Sequence, residues 1–183
     1  LYTYTMKTLP DYVISFMKVF KTKGFQIYLV GGAVRDLVLN KNIDWNLADF
    51  ATNARPQEIV KFFPKTFYEN QFGTVGVEWE DGPKKIIFEV TTFRKESEYK
   101  DKRHPTYIEW ANTIEEDLGR RDFTINAMAL RLTSFAQGKQ TYEIIDPYKG
   151  QDDLKNKLIR AVGDPNIRFS EDALRLIRSI RFS

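Results

Sequence analysis

Glycines, carboxylates and arginines stand in this sequence where they could handle a nucleotide phosphate. Val30-Gly31-Gly32-Ala33-Val34-Arg35-Asp36 joins a short β-rich run, Phe25 to Val30, to a helical stretch, Ala33 to Leu39. Two glycines let a phosphate approach the backbone, and unpaired N–H groups at a helix start favour an anion. Arg35 adds a planar charged fork. The same turn also serves plain chain reversal, so it carries little alone.

Asp44-Trp45-Asn46-Leu47-Ala48-Asp49-Phe50 holds two carboxylates five places apart. Two acids at i and i+2 of a strand share one face and can bridge a pair of metal ions, whereas i and i+5 point to opposite faces. Glu89 lies in an apolar strand, Lys85 to Phe93, where a carboxylate is costly unless paired or metal-bound. Arg120-Arg121-Asp122-Phe123-Thr124-Ile125-Asn126 interleaves polar and apolar residues at what reads as the start of a buried helix, Asp122 to Ala129. That pattern suits ribose and phosphate contacts and, equally, a salt-bridged helix cap. Asp172, Arg175 and Arg178 recur along one face of a last helix, with Ser170 as its expected N-cap.

The elements that must position these groups read as a mixture of helices and strands. Val13, Phe16, Met17 and Phe20 predict an amphipathic helix from Asp11 to Lys23, stopped by Gly24. Phe50 marks a strand, Arg55-Pro56 opens a helix to about Phe63, and Phe67 to Trp79 reads as two strands around Asn70–Gly73. Arg94 to His104 is dense in charge and reads as a mobile loop. Thr141 to Ile145 is a last strand, and from Asp152 the pattern turns helical.

Composition narrows the chemistry. The 183 residues are 42% hydrophobic and 29% charged, as in a globular protein. There is no cysteine, and His104 is the only histidine. Thiol chemistry and multi-histidine metal sites are therefore excluded, and a divalent ion would need carboxylates, which suits magnesium. A net charge of +3 is compatible with an RNA partner. No apolar run approaches the roughly 20 residues of a membrane span. Leu1 to Thr5 lacks the features of a secretory signal, which favours the cytoplasm.

Taken in order, GGAVRD, DFATNARP, FGTVGV, EVTTFR, RRDFTINAM and EDALR resemble the class II nucleotidyltransferases, which include the bacterial CCA-adding enzymes and poly(A) polymerases. The resemblance runs from about Ile27 to Phe182. It implies an α+β fold, a polymerase-β-like head with a mixed sheet flanked by helices over residues 1–150. The start of a helical neck would follow over residues 151–183. FGTVGV is similar to the CCA-adding branch. The implied reaction is attack of a tRNA 3′-hydroxyl on the α-phosphate of CTP or ATP, releasing pyrophosphate, with Mg²⁺ as cofactor. Gly31, Gly32 and Arg35 would hold the triphosphate. Asp44 and Asp49 would bind metal, with Glu89 as a third carboxylate beside them. Arg121, Asp122 and Asn126 would contact ribose and phosphates.

Asp172 and Arg175 would read the base, with Arg178 on the same face. Cytosine and adenine both present an amino donor beside a ring-nitrogen acceptor, which a carboxylate and a guanidinium can match. Uracil and guanine reverse that pattern, and such mispairing can cost roughly 10⁴ in discrimination.

The sequence departs from the family at the acids. The usual Asp-x-Asp is replaced by Asp44 and Asp49, as though Asn46-Leu47-Ala48 were inserted, and both acids could act together only if that excess loops out as a bulge. Three alternatives stay open: CCA addition, addition of A or CC alone, and a non-catalytic nucleotide- or RNA-binding fragment.

Overall fold

The computed structural model describes residues 8–69, 72–99, 105–136 and 139–182. Leu1 to Thr5, His104 and Asn70 lie outside them. Helix α1 (Asp11–Thr22) turns Val13, Phe16, Met17 and Phe20 inward at helical spacing. They pack on a seven-stranded sheet. Its strands are β1 (Ile27–Val30), β2 (Asp49–Thr52), β3 (Thr66–Glu69), β4 (Thr74–Asp81), β5 (Lys84–Thr92), β8 (Ala129–Ala136) and β9 (Lys139–Ile145). Their order is β3-β4-β5-β2-β1-β8-β9. Only β2 and β5 run parallel; the other neighbours are antiparallel. The fold is thus α+β with a mixed sheet flanked by helices.

Strand β1 is buried throughout because both sheet faces are covered. Ile27 and Leu29 join the α1 side, while Tyr28 and Val30 join a second cluster with Phe93, Ile114 and Leu118. On the α1 side, Phe16 is the hub: its ring lies 4.6 Å from Phe88, 5.0 Å from Phe50 and 5.3 Å from Phe63. Rings at such spacings add to their burial energy.

Short helices close the ends of the strands. Helix α2 (Gly32–Val38) follows β1 directly, and α3 (Pro56–Phe62) follows β2. Pro56 at its start costs no hydrogen bond, and the Glu58 carboxylate accepts the Arg55 N–H at 2.7 Å. Glu58→Ala is expected to cost about 1 kcal/mol of stability, as loss of a cap does, measured as a lower urea midpoint.

Three expectations are corrected. The charged stretch from Arg94 is not a loop: β6 (Arg94–Tyr99) and β7 (Pro105–Trp110) form a separate antiparallel hairpin, with residues 100–104 outside the described part. Helix α4 (Ile114–Gly119) follows it. The helix expected over Asp122 to Ala129 is only a 3₁₀ turn, Thr124–Asn126, after which β8 begins. The end of the chain forms α5 (Gly150–Lys155), α6 (Pro165–Glu171) and α7 (Leu174–Phe182). Ser170 is inside α6 rather than a cap, and Asp172 takes the capping role for α7, its carboxylate accepting the Leu174 N–H at 2.9 Å. Among the described residues, no helix is long and apolar enough to cross a membrane.

Candidate functional site

A pocket of about 610 Å³ opens where β1, β2 and the turn before β8 end, and α7 forms its far wall. Gly31, Gly32, Arg35, Asp44 and Asp49 line one side. Arg121, Asp122, Asn126, Asp172, Arg175 and Arg178 line the other. Every site residue picked out in the sequence except Glu89 therefore reaches one cavity.

Gly31 shapes its floor. Its φ of 68° is one that side chains resist. A β-carbon there would lie 3.3 Å from Arg121 Nη1 and 3.8 Å from an Asp49 oxygen. The turn, the guanidinium and the carboxylate are thus near neighbours. Arg35 donates through Nη1 to Asn126 Oδ1 at 2.9 Å and through Nε to Asp36 at 3.0 Å, which fixes it across the mouth. The Nε of Arg121 and the Nδ2 of Asn126 are buried without a hydrogen-bond partner among the described residues. Buried orphan donors are costly, and these two are placed where an anionic or oxygen-rich ligand would satisfy them.

Asp49 begins β2, side by side with Glu89 of β5 in parallel register. Paired residues of neighbouring strands project to the same face, so the two carboxylates share one side of the sheet. Glu89 is not set among apolar side chains as expected. Strand β5 alternates, and Glu89 is on its exposed side between buried Phe88 and Val90. Asp49 is open to the cavity, but the surrounding walls strip its hydration. That desolvation raises its pKa above the ordinary value, while Arg121 and Arg178 pull it down in part.

The extra residues before Asp49 do not bulge the strand, because the β1–β2 ladder runs unbroken from Ile27↔Thr52 to Val30↔Asp49. They are taken up earlier, in a 3₁₀ turn, Trp45–Leu47. Asp44 is its N-cap: Oδ1 accepts the Asn46 N–H at 3.1 Å and the Asn46 side-chain N–H at 2.8 Å. Leu47 is left 75% exposed at the pocket edge, with no carboxylate two places before Asp49. Among the described residues, no group of three or more His, Asp or Glu side chains converges as a metal cage.

On the opposite wall, the arginines already have work. Asp122 accepts Arg178 Nε at 2.6 Å, tying α7 to the segment just before the 3₁₀ turn. Arg175, 5% exposed, donates to Glu171 at 2.6 Å, to the Arg168 carbonyl at 3.0 Å and to the Arg120 carbonyl at 3.3 Å. Asp172 is just outside α7 instead of on a helical turn with Arg175. Arg94, Arg120 and Phe182 also line the pocket; the two arginines stand within motifs but were not singled out as site residues, and Phe182 carried no signal. The Phe182 ring carries the Arg35 guanidinium at 5.2 Å and that of Arg178 at 5.8 Å, within cation–π range.

The chain is similar to known proteins. The family described as the Poly A polymerase head domain matches residues 27–160. The chain is similar to a CCA-adding enzyme of Geobacillus sp. (strain WCH70), 46% identical over 97% of the chain and 41% of that protein. A CCA-adding enzyme of Enterococcus faecalis (strain ATCC 700802 / V583) is 48% identical over 88% of the chain and 36% of its own length. Among solved structures, the Bacillus stearothermophilus CCA-adding enzyme in complex with CTP superposes with a TM-score of 0.77 at 36% identity, covering 96% of this chain and 39% of that one. The Thermotoga maritima CCA-adding enzyme complexed with tRNA_CCA gives 0.66 at 28% identity, over 96% and 38%. The chain thus spans about two fifths of the length of the curated relatives it matches.

Proposed function

We propose, from the premise that this chain belongs to the Poly A polymerase head domain family, that it is the nucleotide-binding head of an RNA nucleotidyltransferase that adds CMP and AMP to the 3′ end of tRNA. Residues 1–150 would be the head and 151–183 the start of a helical neck. The observation that carries this reading is the pocket itself. It sets a glycine turn beside Arg121 and Asp49 and leaves two buried donors, Arg121 Nε and Asn126 Nδ2, for a ligand.

In this reading Gly31 and Gly32 let the triphosphate approach the backbone. Arg35 and Arg121 offer it forked charge, which matches phosphate geometry. The tRNA 3′-hydroxyl attacks the α-phosphate in line, and pyrophosphate leaves. Asp172, Arg175 and Arg178 stand on the wall that would meet the base. Reading it with Arg175 requires that guanidinium to exchange its Glu171 and carbonyl partners for the ring.

The acids fit Mg²⁺, which takes one or two protein carboxylates and completes its shell with phosphates and water. Asp49 would hold it with Glu89 beside it, and Asp44 would join only by releasing Asn46. When bound, the ion supplies positive charge that steadies the leaving pyrophosphate.

The acid spacing favours a second reading, a head that binds nucleotide without transferring it. Incubating the chain, alone and in place of the matching head of a curated CCA-adding relative, with Mg²⁺, CTP, ATP and a tRNA lacking its terminal CCA separates the two. Extension by CMP and AMP is the expected result for the chimera. CTP binding with no extension by the chimera supports the second reading, and A addition without C points to a poly(A) polymerase.

A further inference from the structure

Behind the pocket wall, outside the cavity lining, stands a carboxylate with no exposure to water at all. Asp117, in α4, is 0% exposed. Its Oδ1 accepts Arg120 Nε at 2.9 Å, and its Oδ2 accepts Arg121 Nη2 at 3.2 Å. The Arg94 backbone N–H also donates to Oδ1, at 3.3 Å. Arg94, Arg120 and Arg121 all line the pocket. One buried acid therefore meets both segments that bring these arginines to the cavity, the start of β6 and the end of α4.

A buried carboxylate is expensive unless its charge is paired and its oxygens are hydrogen-bonded. Here both conditions are met by groups whose other ends face the site. Burial pushes the Asp117 carboxyl up, but the Arg120 and Arg121 guanidinia beside it, with the Arg94 N–H, outweigh burial and hold it below the usual range. It is therefore an anion at neutral pH, lodged between two cations that would otherwise repel each other.

We infer that Asp117 is a positioning residue of the nucleotide site, holding Arg120 and Arg121 at the angle at which they meet the phosphates of a nucleoside triphosphate. This rests on the nucleotide-site reading above. The Arg121 fork is fixed at one end: Nη2 is on Asp117, Nη1 faces the Gly31 turn, and Nε is left buried without a partner among the described residues. With an uncharged amide at 117, one terminal group becomes a donor aimed at donors, and the fork is free to turn.

The test compares CTP with CMP, by calorimetry on the 183-residue chain, in wild type, Asp117→Asn and Asp117→Glu. Wild type should prefer CTP strongly. In Asp117→Asn, CTP should bind about tenfold to a hundredfold more weakly, as small misplacements in a site cost, while CMP changes little. Asp117→Glu keeps the charge on a longer arm and should recover part of the preference. A purely structural role would lower the melting temperature and weaken both ligands alike, and that result overturns the inference. If Asp117→Asn does not fold, Asp117→Glu decides: an unchanged CTP-to-CMP ratio overturns it. Wild type that binds no CTP overturns the nucleotide-site reading instead.

Discussion

Alanine at Gly150 is expected to lower the melting temperature by roughly 6–12 °C, and CTP binding should go with it. A β-carbon on Gly150 would sit 2.3 Å from the Thr124 carbonyl oxygen and 3.1 Å from Met128 Cγ. The first is backbone and cannot rotate away. Thr124 is also held from every side. Its N–H donates to the Arg160 carbonyl at 2.9 Å, and its hydroxyl donates to Asp153 at 2.6 Å. Asp153, 2% exposed, in turn takes both ends of the Arg160 guanidinium. Overpacking usually costs about 1–3 kcal/mol, and a clash with a fixed carbonyl belongs at or above the top of that range. The 3₁₀ turn that must shift is the one that carries Asn126, the acceptor for Arg35. Thermal unfolding followed by circular dichroism checks the prediction. A melting temperature within about 2 °C of wild type would show that the turn yields, since 1 kcal/mol is worth about 2–4 °C at this size.

Legibility from sequence divides along physical lines. Helix α1 was readable because one face is wholly apolar, and β1 because a short apolar run ends in two glycines. Asp49, Arg35 and Asn126 were readable from the motifs around them, and all three line the pocket. Strand β8 was missed although its residues alternate: Leu130 and Leu132 are buried, Arg131 and Thr133 are not. The preceding apolar stretch, Phe123 to Met128, imitates the start of a helix, and only tertiary bonds to Arg160 and Asp153 restrict it to one turn. The break at Asp172 was hidden for a related reason. Glu171-Asp172-Ala173-Leu174 has helical character, but an aspartate can cap as readily as continue, and Asp172 caps. Asp117 left a signal that went unread, since it precedes Arg120 and Arg121 by three and four places at a helix end, the spacing of ion pairs. Its burial, which makes those pairs matter, is a property of the fold around it.

Under the proposed transfer reading, Asp49→Asn should lower nucleotide transfer by about 10²-fold or more in kcat, and at the same time stabilise the chain. The sign of the second effect follows from the pKa. Desolvation raises the Asp49 carboxyl above its ordinary 3.8, against the pull of Arg121 and Arg178. A group whose folded pKa is raised contributes stability below the unfolded pKa and loses it as pH rises through the folded value. Wherever Asp49 is ionised, its charge is a net cost to the fold. Asp49→Asn should therefore melt above wild type at pH 7, and the advantage should vanish below about pH 4, where the wild-type carboxyl is protonated. Nucleotide binding gives the same contrast. Without a divalent ion, the variant should bind CTP at least as tightly as wild type, because a carboxylate facing the triphosphate has gone. With Mg²⁺, wild type should gain affinity and the variant should not, since the ion's anionic ligand is missing. If Mg²⁺ strengthens CTP binding equally in both proteins, Asp49 does not hold the ion. If the variant melts below wild type at pH 7, the arginines depend on Asp49 more than its desolvation costs. A site that holds negative charge at the expense of stability is what the proposed transfer chemistry would demand of this strand, and the two measurements together separate that cost from the binding of Mg²⁺.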